Sequence, residues 1–276
     1  MSNSAKPIGP LTIGNVVSAG LRIYRDRFKT YYSLALKAYL WILVPIYGWA
    51  KFSAIQGLIS RLAFAEVNEQ PETVRDAQGE VMPRMWSFLG AGILISLIFM
   101  GFFLGVAMVF LLFAIFIGAI FQDFTGDIIA SLLITIGSIA FIIVFIWLAA
   151  RLFVVEAALA IEDNINASKA IERSWELTQG SVGRIQWIIF VTFLITIPIS
   201  VVFEIAERII TVVFTTSLPM ADNNLFTLLY WVLIVGVNVA VGGLLIPFWQ
   251  SITGVIYYDL RNRREGLGLK LKDRAR

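Results

Sequence analysis

Residues 86–121 run for thirty-six positions without a charged side chain. A helix rising about 1.5 Å per residue needs roughly 20 apolar residues to cross a hydrocarbon layer of about 30 Å, so this stretch is longer than one crossing requires. After the polar residues 122–127 a second uncharged run covers 128–150 and ends at Arg151. Two helices joined by so short a connection fold back on each other, and residues 86–161 therefore read as a helical hairpin in lipid.

Composition agrees. The chain is 58% hydrophobic and 15% charged, with a mean hydropathy of +0.81, where soluble domains carry about 25% charged residues. There is no cysteine and no histidine, which excludes disulfides and thiolate sites and removes the commonest general base and metal ligand. The first thirty residues hold Pro7, Pro10 and five basic residues but no apolar core of signal-peptide type, so insertion is expected to be directed by the spans.

Residues 13–29 read as an amphipathic helix. Val16, Val17, Leu21, Tyr24 and Phe28 recur at helical spacing, and Arg22, Arg25 and Arg27 fall largely elsewhere on the wheel, a pattern suited to the headgroup layer or to a solvated cap. In residues 31–60 the breaker Pro45-Ile46-Tyr47-Gly48 fits either one kinked crossing or a shallow hairpin. Residues 61–84 are polar and acidic and are expected outside the hydrocarbon. Gly101 and Gly105 form a small-xxx-small face that another helix could approach. Asn166 suits an N-cap for an interface helix over 167–179, with Ala167, Ile171, Trp175 and Thr178 on one stripe and Gly180 as its stop. Residues 184–260 form a last hairpin, with Pro198 and Pro247 inside its apolar runs, and 261–276 make a basic tail of seven Lys/Arg against two acids.

Charge placement favours three hairpins whose outer turns lie near Tyr47, at 122–127 and between Arg208 and Asn224. Of 22 Lys/Arg residues, only Arg208 then lies in an outer turn, as the positive-inside rule prefers. Residues 13–45 and 165–198 also match in order, with Ala19, Arg22 and Tyr24 corresponding to Ala170, Arg173 and Trp175, a pattern of pseudo-symmetric repeats. The expected fold is all-α: a polytopic transmembrane bundle of about five to six membrane helices arranged as hairpins, with amphipathic cytoplasmic interface helices. It is a single integral membrane domain with both termini in the cytoplasm, placed in a bacterial inner membrane or another internal membrane such as the thylakoid.

The pattern Ala170-x-x-x-Ser174-Trp175-x-Leu177-Thr178-x-Gly180, with Tyr257-Tyr258-Asp259-Leu260-Arg261-x-Arg263-x-Glu265-Gly266 after the last span, resembles the membrane-domain family named after glycerophosphoryl diester phosphodiesterases. The resemblance covers residues 13–266 and implies a membrane architecture. The enzymes that name that family hydrolyse their substrate in a separate soluble barrel with histidines, carboxylates and a metal. This sequence has neither barrel nor histidine, so the resemblance carries over no activity.

Charges beside lipid are the functional suspects: Arg151 with Glu156, Glu204 and Glu207 with Arg208, and Asp259 with Arg261. At span ends they can equally snorkel to the interface, and Glu204 and Arg208 are spaced for an ordinary ion pair. No converging carboxylate pair, phosphate loop, metal-ligand cluster or nucleophile elbow emerges. The expected protein is non-enzymatic and takes no cofactor. It acts as scaffold, assembly factor or anchor through its cytoplasmic face, with membrane lipids and a membrane-protein partner or a second copy as contacts and no nucleic acid. The candidate contact residues are Arg22, Arg25, Arg173, Trp175, Tyr258, Asp259, Arg261 and Arg263. The alternative is a transporter or lipid-handling protein with a cavity formed by helices broken at Pro45, Pro198 and Pro247.

Overall fold

The computed structural model describes residues 11–120, 124–217 and 224–274, and these are helical with no strand among them. Of the turn expected at 122–127, residues 122 and 123 lie outside the described residues and 124–127 are helical; of that expected between Arg208 and Asn224, residues 218–223 lie outside and 208–217 are helical, and the last two residues of the basic tail also lie outside. Numbering the α-helices in chain order, α1 is Ile13–Asp26, α2 Phe28–Ile42, α3 Tyr47–Val67, α4 Val74–Val81, α5 Met85–Ile120, α6 Phe124–Leu152, α7 Val155–Ile161, α8 Ala167–Thr178, α9 Val182–Val212 and α10 Asn224–Arg274. Four stretches are long and apolar enough to cross a membrane: Val74–Ile117, Ala130–Ile161, Val182–Thr216 and Leu225–Gly266.

α3 lies at the centre of the packing. Eleven of its 21 residues are buried, from Gly48 to Ala65, and it touches α10, α2, α7, α5 and α4. It extends through Arg61 to Val67, further than the polar composition there suggests, because Leu62, Ala63 and Ala65 are buried on its inner face. The chain reverses between α2 and α3 at residues 43–46. Ile46 holds φ +63° there, a costly conformation for a β-branched residue. Gly48 permits the reversal, since a Cβ at that position would lie 1.7 Å from the Trp41 carbonyl oxygen.

α10 is held against α3 and α2 just as closely. A Cβ on Gly254 would meet the Ser60 carbonyl oxygen at 2.4 Å, and one on Gly242 would meet the Tyr39 hydroxyl at 1.7 Å. Gly57 on α3 similarly receives the ring of Phe88 from α5. Gly101 and Gly105 receive nothing within 4 Å, so the small-xxx-small face is open in this chain. Gly137 on α6 takes the ring of Phe110 instead.

Pro198 and Pro247 sit inside continuous helices, α9 and α10. The Tyr24 hydroxyl donates to the Leu244 carbonyl at 3.0 Å, three residues before Pro247. The actual interruption in an apolar span comes at residues 153–154, between α6 and α7.

The core is confined to one end. It takes in α1 to α4, α7, α8, the start of α5 and α9, the end of α6 and residues 248–260 in the middle of α10. Beyond it the long helices run on with apolar side chains facing outward, among them Phe103, Met108, Leu112, Ile136, Ile143, Val202 and Val232. α5 and α6 touch there through aromatic pairs such as Phe102 and Phe141, 5.3 Å apart. Such helices are stable with that surface only in an apolar solvent.

Candidate functional site

Most of the paired charges lie at the packed end and tie distant parts of the chain together. Asp259 on α10 is 2% exposed at its side chain. Its Oδ1 accepts the Leu11 backbone N–H at 2.8 Å, and its Oδ2 lies 2.9 Å from Arg263 Nε and 3.0 Å from Arg184 Nη2. Arg263 Nη2 returns to the Leu11 carbonyl at 2.9 Å, and Arg184 donates to that same oxygen. Both backbone groups of Leu11 are thus held by the starts and ends of other helices. Charge-assisted bonds of this kind offset the cost of burying the carboxylate.

A second knot joins α8 to α10. Arg173 donates from Nε to Glu162 at 2.6 Å and from Nη2 to Glu265, while the Tyr257 hydroxyl donates to Glu162 and Arg261 Nε donates to Glu265 at 2.7 Å. Burial acts to lower the Arg173 pKa, but its bonds to Glu162 and Glu265 outweigh that and raise it. Arg264 Nη2 donates to the Gln179 carbonyl at 2.9 Å, satisfying an orphan group at the C-terminus of α8. Arg61 on α3 grips Glu72 through two bonds of 2.8 and 3.0 Å and donates to the Ala160 carbonyl at 3.0 Å. The Glu72 bonds hold its guanidinium above the usual arginine range.

The candidate residues divide by surroundings. Arg173, Asp259, Arg261 and Arg263 are engaged in these internal pairs. Arg22 makes no ion pair among the described residues, and Arg25 meets only its exposed neighbour Asp26 at 3.5 Å. With Leu21 and Phe28 these arginines line a shallow groove of about 440 Å³ on the outer face of α1. Tyr258 and Arg261 line a polar cavity of about 480 Å³ beside Arg61, Glu72 and Asn262.

Trp175 is 40% exposed and stands edge-on to Trp147 with ring centroids 5.4 Å apart. The Arg151 guanidinium lies 4.8 Å from one ring and 5.3 Å from the other, and its Nη1 donates to the Trp175 carbonyl at 2.9 Å. α8 is positioned for this by its cap, where Asn166 Oδ1 accepts the Lys169 N–H at 3.0 Å. Gly180, at φ +77°, then turns the chain toward α9.

Of three pairings suggested by sequence proximity, two are replaced by others and one is not formed among the described residues. Arg151 goes to the tryptophans rather than to Glu156, and Asp259 goes to Arg184 and Arg263 rather than to Arg261. Glu204 and Arg208 form no ion pair among the described residues and are exposed.

A third polar group lies in the interior, where α3, α7 and α10 meet. The Gln250 amide nitrogen donates to Gln56 Oε1 at 3.1 Å and to Glu156 Oε2 at 3.0 Å. Ser60 Oγ is bonded to the Gln250 side-chain oxygen and, at 3.2 Å, to its backbone carbonyl. Gln56, Ser60, Arg184 and Gln250 carry no motif, and only the meeting of helices far apart in sequence reveals them. Among the described residues no group of three or more His, Cys, Asp or Glu is placed to hold a metal ion.

No family model matches the chain, and no similar curated protein or solved structure is found.

Proposed function

We propose that this is a non-enzymatic multi-pass membrane protein whose packed, charged end faces the cytoplasm and serves as a scaffold, assembly factor or anchor. The observation that carries this reading is the contrast at the charged end between arginines tied internally and those on the outer face of α1, which tie no helices together. Most arginines at that end are spent on holding helices together, whereas Arg22 makes no ion pair among the described residues and Arg25 meets only its exposed neighbour Asp26, both beside Leu21 and Phe28. Cations next to apolar side chains on an amphipathic helix suit anionic headgroups or the membrane-proximal face of a partner.

In this reading α5, α6, α9 and α10 cross a bacterial inner membrane or another internal membrane, and both termini lie in the cytoplasm. α2 and α3 enter from the same side and return at residues 43–46. Leu43, Ile46 and Trp49 are exposed near that tip, as a segment dipping into lipid requires. The result is three hairpins. The likeness of residues 170–180 and 257–266 to the phosphodiesterase-associated membrane domain belongs to this proposal as an architecture only.

Photo-crosslinking amino acids placed at 22, 25 and 175 in the intact membrane test the reading. A partner protein or second copy should be captured from 22 and 25 and not from the lipid-facing position 112. Capture from 112 alone would overturn it.

A carrier is the second reading, favoured by the interruption at residues 153–154 facing Gln250 on α10. Interrupted helices around polar groups are how carriers form sites at membrane depth. Solute uptake by reconstituted vesicles that stops when Gln250 is replaced would establish it.

A further inference from the structure

Arg151 sits in the last turn of α6, on the row Ile143, Trp147, Arg151 that four-residue spacing sets along one side of a helix. Its Nη1 is spent on the end of α8, where it donates to the Trp175 carbonyl at 2.9 Å and lies 3.4 Å from the Thr178 hydroxyl. The rest of the guanidinium is not spent. Other arginines of the packed end, such as Arg84, Arg173 and Arg184, each face an acid, whereas Arg151 pairs with none among the described residues. Its Nε is buried and has no hydrogen-bond partner there. What surrounds the cation is the pair of half-exposed rings of Trp147 and Trp175.

Away from this arginine, toward the lipid-facing half, α6 and α9 part to leave a cleft of about 390 Å³, lined by Ile143 and Ile146 on one side and Gly183, Gln186, Trp187 and Phe190 on the other. α6 ends and α9 begins at the packed end, so both walls run from polar to apolar in the same direction. Arg151 and Ile143 are eight residues apart, about 12 Å of helix. A Cβ on Gly183 would meet nothing within 4 Å, which leaves the polar mouth of the cleft open. Gln186 lines the cleft and its amide makes no hydrogen bond among the described residues. An amide beside hydrocarbon without a protein partner is costly unless something from the bilayer answers it.

An occupant of this cleft therefore needs three features in order: a negative charge for Arg151, an acceptor for Gln186 and a hydrocarbon segment for Ile143, Ile146 and Phe190. A free anion would leave the apolar walls empty, and an alkyl chain alone would leave the cation unanswered. A phospholipid carries phosphate, ester carbonyl and acyl chain in that sequence. Arg151 has no acid beside it to receive the ammonium of a zwitterionic headgroup, so charge complementarity selects an anionic one. We propose that the cleft between α6 and α9 holds one anionic phospholipid of the leaflet next to the packed end, with its phosphate on Arg151, an ester carbonyl at Gln186 and one acyl chain between Ile143, Ile146 and Phe190. The proposal rests on α6 and α9 standing in lipid and on neither the scaffold nor the carrier reading.

The test titrates full-length, delipidated protein in a non-ionic detergent with phosphatidylglycerol and, separately, with phosphatidylcholine of the same acyl chains, and reads bound lipid by native mass spectrometry. One phosphatidylglycerol should bind at least about five-fold more tightly than phosphatidylcholine, and should raise the unfolding temperature saturably, as a ligand of the native state does. Arg151→Gln should bring the two lipids to the same affinity. Because that change also weakens the tie to α8, Gly183→Phe supplies an independent check. Its ring enters open space, so unfolding without lipid should be unchanged, while the affinity for phosphatidylglycerol should fall at least about five-fold as the cleft is filled. Inorganic phosphate in excess should leave the bound lipid in place. Equal affinity for the two lipids, a preference that survives Arg151→Gln, or unaltered binding by Gly183→Phe would each overturn the proposal. Displacement by phosphate would overturn it in favour of an anion site that holds no chain.

Discussion

Gly254 and Gly101 both lie in long apolar helices, yet one is pinned between backbones and the other faces open space. The contrast holds for the two ends of the molecule at large. At the charged end small residues let helices touch main chain to main chain, and acids and arginines lock the contacts. Toward the far end the same kinds of residues make few interhelical contacts, and lipid takes the place of a core. Apolar composition alone therefore says where a helix resides and nothing about how tightly it is held.

The glycine pair gives the largest expected contrast. Gly254→Ala forces α3 and α10 apart at a backbone oxygen and should cost about 3 kcal/mol, seen as early thermal unfolding in detergent. Gly101→Ala should be neutral or stabilising by up to about 1 kcal/mol through helix propensity. Equal behaviour of the two variants would erase the distinction between the ends.

Next in size, Asp259→Asn leaves Arg184 and Arg263 without their acid. It should cost about 2 kcal/mol, less than for a fully buried pair because both arginines retain some contact with solvent. The same variant should free the segment at Leu11, making it more susceptible to protease.

Smaller still is the contrast between Arg173 and Arg22. Arg173→Ala leaves Glu162 with only the Tyr257 hydroxyl and Glu265 with only Arg261, and should cost about 1 kcal/mol. Arg22→Ala should stay within about 0.5 kcal/mol of the parent while reducing capture of a partner from the α1 face.

The smallest effect is one of alkaline pH. Burial, with a contribution from Tyr32, pushes the Tyr24 phenol up to about 12, whereas an unfolded tyrosine ionises near 10. The stability that this neutral hydroxyl supplies is complete below about pH 10 and is lost as pH rises toward about 12. Tyr24→Phe should remove that part of the slope in unfolding temperature measured between about pH 9 and pH 11.5.

The spans were legible because charge-free length is a local property, and the Asn166 cap and the Gly180 stop were legible for the same reason. The course of α3 was not. Arg61 and Glu66 look like the start of a solvated loop until Glu72 and Arg27 are seen to pair with them. Nor could the sequence distinguish Gly101 and Gly105 from Gly48, Gly57 and Gly254, since the use of a glycine depends on what approaches it. The candidate residues around Asp259 were picked out by position, but their partners Arg184 and Leu11 lie 75 and 248 residues away. The interruption at 153–154 has neither proline nor glycine to announce it.

The central helix also constrains biosynthesis. α3 emerges early, carrying Gln56 and Ser60, but Gln250, which answers both, is translated about 190 residues later. Until then the Gln56 amide and the Ser60 hydroxyl lack the partner that Gln250 gives them. A nascent chain arrested before Asn224 would keep those groups uncovered and present itself to membrane quality control, whereas arrival of the last helix would close the bundle in one late step.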